Sequence, residues 1–208
     1  HDREGISAGG GIDQVTMLRL RIRNVIAGIS FSYPGLDAWN GNGNPIYHGH
    51  TIWDQLGIFE CDLDDMDASF SHGSDTGAFI AAKHLSIMGC SWDGQLGGGH
   101  ILRTPYQESG RISNNYFGRP SSDGSVLKFH APIQGASGVT AGLFSEKVCI
   151  CDNTFQGAAA TGVVAIEPQN QTEDERHKNI IFERNYVIAG TGSQLVMQVQ
   201  GEHEKLTI

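Results

Sequence analysis

No apolar stretch in the sequence reaches the roughly 18 residues that a membrane-spanning helix needs, so no transmembrane helix is expected. No segment keeps a 3.6-residue apolar rhythm over about 11 residues, which argues against a β/α solenoid of the leucine-rich kind. Basic residues are scarce: 14 Lys and Arg stand against 23 Asp and Glu, for a net charge of −9. Phosphate contacts need a basic field, so nucleic acid is not an expected partner. A polyanion read locally stays open if the few cations gather in one groove. Cysteine is sparse and forms no CxxC, since the four are Cys61, Cys90, Cys149 and Cys151. Cys149 and Cys151 share one face of a strand with poor geometry for a mutual bridge. Small buried thiols are the main reading, and a Cys61–Cys90 disulfide is the alternative.

Glycine is what the chain has in excess. It contributes 28 of 208 residues, about twice the usual share, which suits a turn-rich β protein. Repeats are then the first thing to seek. Ile112-Ser113-Asn114-Asn115-Tyr116-Phe117, Ile150-Cys151-Asp152-Asn153-Thr154-Phe155 and Phe182-Glu183-Arg184-Asn185-Tyr186-Val187 share one layout: apolar, two residues, Asn, one residue, apolar. With that Asn as anchor, Cys90, Cys61 and Leu20 take the same slot upstream. The anchors fall at 20, 61, 90, 115, 153 and 185, with spacings of 41, 29, 25, 38 and 32. Two apolar columns line up beside them: Met17, Ile58, Ile87, Ile112, Ile150 and Phe182 before the anchor, and Ile22, Leu63, Trp92, Phe117, Phe155 and Val187 after it. A constant local pattern with unequal spacing means a fixed core strand and loops of varying length.

A second short strand follows each unit, as in His100–Thr104, Ser125–His130 and Gly162–Glu167, with the period-2 alternation of a half-buried strand. Strand–turn–strand–turn at this repeat length suits coils stacked at about 4.8 Å. A propeller blade needs about 40 residues or more, so spacings of 25 and 29 are too short for one. The expected fold is all-β: a single-stranded parallel β-helix, a solenoid of about six to seven coils, spanning residues 1–208 as one domain. Stacked Asn side chains can bond to one another and to turn backbone, so Asn115, Asn153 and Asn185 are read as structure, with Cys90, Cys61 and Leu20 filling the slot with apolar bulk where the ladder stops. The chain opens without an initiator Met and closes on Lys205-Leu206-Thr207-Ile208, which reads as the start of another strand. A segment of a longer protein is expected, with self-association through open helix ends as a further possibility.

On these coil phrases the chain resembles the right-handed parallel β-helix superfamily, the pectate-lyase-like proteins. The resemblance covers nearly the whole chain and implies a fold, while no one family's catalytic motif maps onto it. The residues themselves suggest where chemistry would lie. If Leu127, Phe129, Leu102, Val164 and Ile166 point inward, then Lys128, His130, Arg103, Ala165 and Glu167 point outward. Arg103 and Lys128 form one column, His130 and Glu167 another, over roughly 10–15 Å. Such a strip fits two or three sugar units. A polysaccharide lyase needs a base for the proton α to a uronate carboxyl and a cation on that carboxylate. Lys128 or His130 could be the base and Arg103 the neutraliser. The competing reading is that these charges serve solubility and cross-strand pairing.

The acidic run Glu60, Asp62, Asp64, Asp65 and Asp67 offers hard oxygen ligands, with Asp62, Asp64 and Asp65 as a candidate Ca²⁺ site. Paired carboxylates for glycoside hydrolysis and a solvated turn are the alternatives. Tyr47-His48-Gly49-His50 holds two imidazoles spaced for Zn²⁺ but lacks a visible third ligand. Trp39, Tyr47, Trp53 and Tyr106 could stack on sugar rings or cover the core, and Asn170-Gln171-Thr172 is a glycosylation sequon. An extracellular or cell-surface carbohydrate-active protein, lyase or hydrolase, is the leading functional expectation. A non-catalytic structural or adhesive solenoid, such as a surface fibre or phage tail-spike shaft, is the alternative.

Overall fold

A computed structural model describes residues 4–8, 14–23, 27–31, 54–66, 76–80, 82–95, 100–104, 107–118, 125–130, 145–156, 163–167, 177–188, 196–199 and 205–208. Among them the chain forms 20 strands and no helix, hence none long and apolar enough to cross a membrane. The strands come in threes. The first pass is β1 (Glu4–Ala8), β2 (Gln14–Leu18) and β3 (Arg21–Arg23), and the second is β4 (Ala27–Phe31), β5 (Gln55–Phe59) and β6 (Asp62–Met66). Next come β7 (Thr76–Ile80), β8 (His84–Met88) and β9 (Ser91–Gln95), then β10 (His100–Thr104), β11 (Ser109–Ser113) and β12 (Tyr116–Gly118). The fifth pass is β13 (Leu127–His130), β14 (Glu146–Cys151) and β15 (Thr154–Gln156), and the sixth is β16 (Val164–Glu167), β17 (Lys178–Glu183) and β18 (Tyr186–Ile188). β19 (Met197–Val199) and β20 (Leu206–Thr207) begin another.

Each strand pairs in parallel with those three before and three after it. The result is a first sheet β1-β4-β7-β10-β13-β16-β19, a second β2-β5-β8-β11-β14-β17-β20 and a third β3-β6-β9-β12-β15-β18. The anchor motif therefore divides into two strands with a corner between them, rather than forming one core strand. Both apolar columns are in register: Met17, Ile58, Ile87, Ile112, Ile150 and Phe182 on the second sheet, and Ile22, Leu63, Trp92, Phe117, Phe155 and Val187 on the third. All but the half-buried Val187 are buried in one continuous core. Trp92, Phe117, Phe155 and Phe182 stack with ring centroids 6.0, 5.1 and 6.0 Å apart, in the offset range that favours aromatic pairs.

The corner explains the anchor. The residue before each anchor has positive φ: Arg19 (55°), Glu60 (52°), Gly89 (68°), Asn114 (57°), Asp152 (59°) and Arg184 (51°). Gly89 adopts that conformation freely and Asn114 and Asp152 tolerate it, while at the Arg and Glu corners it costs roughly 1–2 kcal/mol. The sharp bend leaves the anchor's own N–H without a strand partner, and the anchor of the next pass accepts it. Asn115 N–H and Nδ2 both donate to Asn153 Oδ1 at 3.0 Å, and Asn153 N–H and Nδ2 both donate to Asn185 Oδ1 at 3.0 Å. Each amide also donates to a carbonyl of the preceding pass: Asn115 to Ile87, Asn153 to Ile112 and Asn185 to Ile150, at 2.9–3.0 Å.

The ladder does not stop at the cysteines, contrary to their reading as apolar filler. Cys90 N–H donates to Asn115 Oδ1 at 2.9 Å. Cys90 Sγ accepts from Cys61 N–H at 3.4 Å and lies 3.5 Å from Ile58 O. One thiol thus repeats, more weakly, the accept-and-donate pattern of the Asn amide. Cys61 and Cys90 are free thiols, so the disulfide alternative falls. Burial is the main reason the Cys90 thiol is pushed up to about 11.

Asn153→Ala leaves the Asn115 N–H and amide without their acceptor, so urea unfolding should show a loss on the order of 3 kcal/mol. Asn153→Cys, which restores a weak acceptor and donor, should lose less than half as much. Equal losses in the two variants would show that the slot needs bulk rather than hydrogen bonds.

Candidate functional site

The site expected on the first sheet can be built from its register. Leu102, Leu127 and Val164 are paired across β10, β13 and β16, as are Phe129 and Ile166, and all are buried. Alternation along a strand then assigns Arg103, Lys128 and Ala165 to the opposite face. Arg103 pairs directly with Lys128, Lys128 with Ala165, and His130 with Glu167. Both expected columns are therefore present in the backbone. Arg103 and Lys128 are half-buried. The side chains of His130 and Glu167 fall outside the described part. Ala165 lies on the outward row but is fully covered rather than exposed. A lone methyl beside a side chain as long as Lys128 presents little surface of its own.

Sequence reasoning missed His100. Its imidazole sits at the start of β10, held well below its usual range at about 3. Burial is the main cause, followed by the positive charges of Lys128 and Arg103. Ser125 N and Oγ each lie 2.9 Å from Nδ1. A backbone N–H can only donate, so Nδ1 carries no proton and the neutral ring keeps its proton on Nε2. The ring is a donor with its basic nitrogen engaged, hence a poor general base near neutral pH. The signal was hard to see because Ser125 is a full pass away, at |i−j| = 25. Arg103 and Lys128, held about 4.8 Å apart by neighbouring strands, place positive charge near the ring, while His100 itself falls by alternation on the inward row with Leu102.

The acidic run is arranged differently. Asp62 Oδ2 accepts from Arg21 Nε at 3.0 Å and from Arg23 at 3.4 Å, while Asp64 Oδ2 lies 3.6 Å from Arg23. Two of the three candidate Ca²⁺ ligands are thus neutralised by β3, and a hard cation would have to displace both guanidinium groups. Asp64 also pairs in register with Asp93, a carboxylate not singled out from sequence. The side chain of Asp65 falls outside the described part. So do Trp39, Tyr47, His48, His50, Trp53, Tyr106 and Asn170.

No family model, curated protein or solved structure matches the chain.

The His100 shift makes a stability prediction. The folded pKa is depressed, so its contribution is complete above the unfolded value of about 6.5. It is lost as pH falls from there toward about 3. In that window the unfolded chain binds one more proton than the folded one, a slope of about 1.4 kcal/mol per pH unit. Between about pH 6 and 4 the wild type should lose stability more steeply than His100→Asn, by about that slope. Asn can still accept from Ser125 N–H but does not titrate. Parallel pH profiles in urea unfolding would show that His100 is not held neutral by the fold.

Proposed function

We propose that the three sheets wind as one right-handed parallel β-helix of six to seven coils, of the pectate-lyase-like kind, and that the outer face of its first sheet binds an acidic polysaccharide and cleaves it by β-elimination. The observation that carries this reading is the direct pairing of Arg103 with Lys128, next to an imidazole that burial and those same cations keep neutral. Two adjacent cations within a net charge of −9 mark a place for a localised anion such as a uronate carboxylate. Arg103 would bind that carboxylate and so acidify the α carbon. Lys128 or His130 would take the α proton, and the β C–O bond would then break without consumption of water. Glu167, in register with His130, would orient that imidazole. An extracellular or cell-surface setting goes with this reading, since polymeric substrates of this kind are met there.

A second reading is a non-catalytic shaft or adhesive solenoid. It is favoured by the exterior ion pairs that link successive passes: Arg19–Glu60 at 2.6 Å, Arg21–Asp62 at 3.0 Å and Arg184–Asp152 at 2.8 Å. These contacts tie one pass to the next along the exterior. Association end to end through unpaired strand edges belongs to this reading.

A screen on uronate polysaccharides, read by the absorbance of the unsaturated product, separates the two. Arg103→Ala and Lys128→Ala should each lower turnover by at least about a hundredfold, the scale of a lost charge contact or proton transfer. Unchanged turnover in both variants would remove the lyase reading from this face.

A further inference from the structure

The outer face of the second sheet carries a cluster that the first-sheet reading does not use. β14 sets Cys149 and Cys151 two residues apart on one face, and β17 brings Glu183 beside Cys151. The two sulfurs and a Glu183 carboxylate oxygen all lie within 4.8 Å of one another. Cys151 is fully buried, while Cys149 and Glu183 are half-buried, so the cluster is enclosed yet reachable. Both thiols are free. Residues two apart on a strand hold their Cβ atoms farther apart than a disulfide tolerates, but two sulfurs bound to one cation at about 2.3 Å need only sit near 3.8 Å from each other.

The surroundings hold the carboxylate in place. Arg184 Nη1 bonds Glu183 at 2.6 Å, and its Nε and Nη2 bond the Asp152 carboxylate at 2.8 and 3.0 Å. These bonds fix Glu183 and leave it a second oxygen. Arg111 pairs in register with Cys149 and bonds Ser113 Oγ at 3.2 Å. The Cys151 thiol is pushed up to about 12 by burial first, then by the adjacent Cys149 thiol and by Asp152, with Arg111 acting the other way. As a free thiol Cys151 is a poor nucleophile. A divalent cation that displaces both thiol protons leaves the net charge of the cluster unchanged, because two protons leave as two positive charges enter.

We propose that Cys149, Cys151 and Glu183 bind one thiophilic divalent cation of the zinc class, with solvent completing a tetrahedral set. Two thiolates and one carboxylate exclude Ca²⁺ and Mg²⁺, which take oxygen ligands. The cation joins two successive passes, β14 and β17, beside the corner residues Asp152 and Arg184, so binding also stabilises the fold. Two protons leave for each cation bound, so apparent affinity rises about a hundredfold per pH unit while both thiols are protonated. The site is independent of the first-sheet reading.

Cobalt(II) titration of the reduced, metal-free full chain tests this. The expected result is a thiolate-to-cobalt charge-transfer band that saturates at one cation per chain and is bleached by Zn²⁺ but not by Ca²⁺. The band should vanish in Cys149→Ser, and Glu183→Gln should weaken binding by about ten- to a hundredfold, a loss typical of metal-site partners. A measurement on the unaltered chain guards against misfolded variants: Zn²⁺ should slow alkylation of Cys149 at least tenfold, as read by peptide mass. Cobalt binding without the band, no binding at all, or alkylation unaffected by Zn²⁺ would each overturn the assignment.

Discussion

The corner between the second and third sheets leaves one backbone N–H per pass that neither sheet can satisfy, and the rest of the structure depends on how it is closed. A buried, unpaired N–H costs about as much as a lost hydrogen bond, and the cost would recur at every pass. The chain meets it with the anchor of the following pass: Asn153 accepts from Asn115, Asn185 from Asn153, and Cys90 from Cys61. Because each acceptor belongs to the next pass, the bond fixes register as well as satisfying a donor. A slip of one residue would break the ladder and turn the apolar columns outward. The stack from Trp92 through Phe117 and Phe155 is therefore held in line by polar bonds a few residues away. The same bonds hold the strained positive-φ residues in place.

The anchors and the two apolar columns were legible in the sequence because they repeat in identity or character. The corner was not, because the residue that makes it is Arg, Glu, Gly, Asn, Asp or Arg in turn. What those residues share is a backbone conformation, which no side-chain pattern announces. Cys61 and Cys90 were visible in the slot but looked like bulk. Hydropathy treats a thiol as a small apolar group, and its ability to accept an N–H shows only when the N–H is already in place.

Legibility of the surface followed a similar division. Arg103 with Lys128, and His130 with Glu167, could be placed side by side because strand alternation and the repeat suffice to predict register. His100 could not, since its behaviour depends on a Ser125 contact at the entry of the next strand and on burial by neighbours. Cys149 and Cys151 were conspicuous as a pair, but their third partner lies a pass away, opposite Cys151 in the ladder of β14 and β17. Asp62 and Asp64 looked like cation ligands because the arginines that neutralise them stand on β3, a long loop upstream. In each case what the sequence hid was a partner one pass away across a loop of unpredictable length.

Those loops are not placed at random. Between the second and third sheets the connection is always two residues: 19–20, 60–61, 89–90, 114–115, 152–153 and 184–185. The ladder allows nothing longer, since it needs one positive-φ residue and one anchor. All variation in length falls at the two connections flanking the first sheet, for example 32–54 between β4 and β5 and 131–145 between β13 and β14. Insertions on a rigid scaffold are where binding surfaces arise, and here they border the sheet that carries Arg103, Lys128 and His100. The same constraint that makes one corner invariant thus directs variation toward the first sheet, and it does so whatever family the chain resembles. The thiol cluster sits at the invariant corner instead, beside residues that cannot move without breaking the ladder, which suits a cation that fixes structure better than one that turns over substrate.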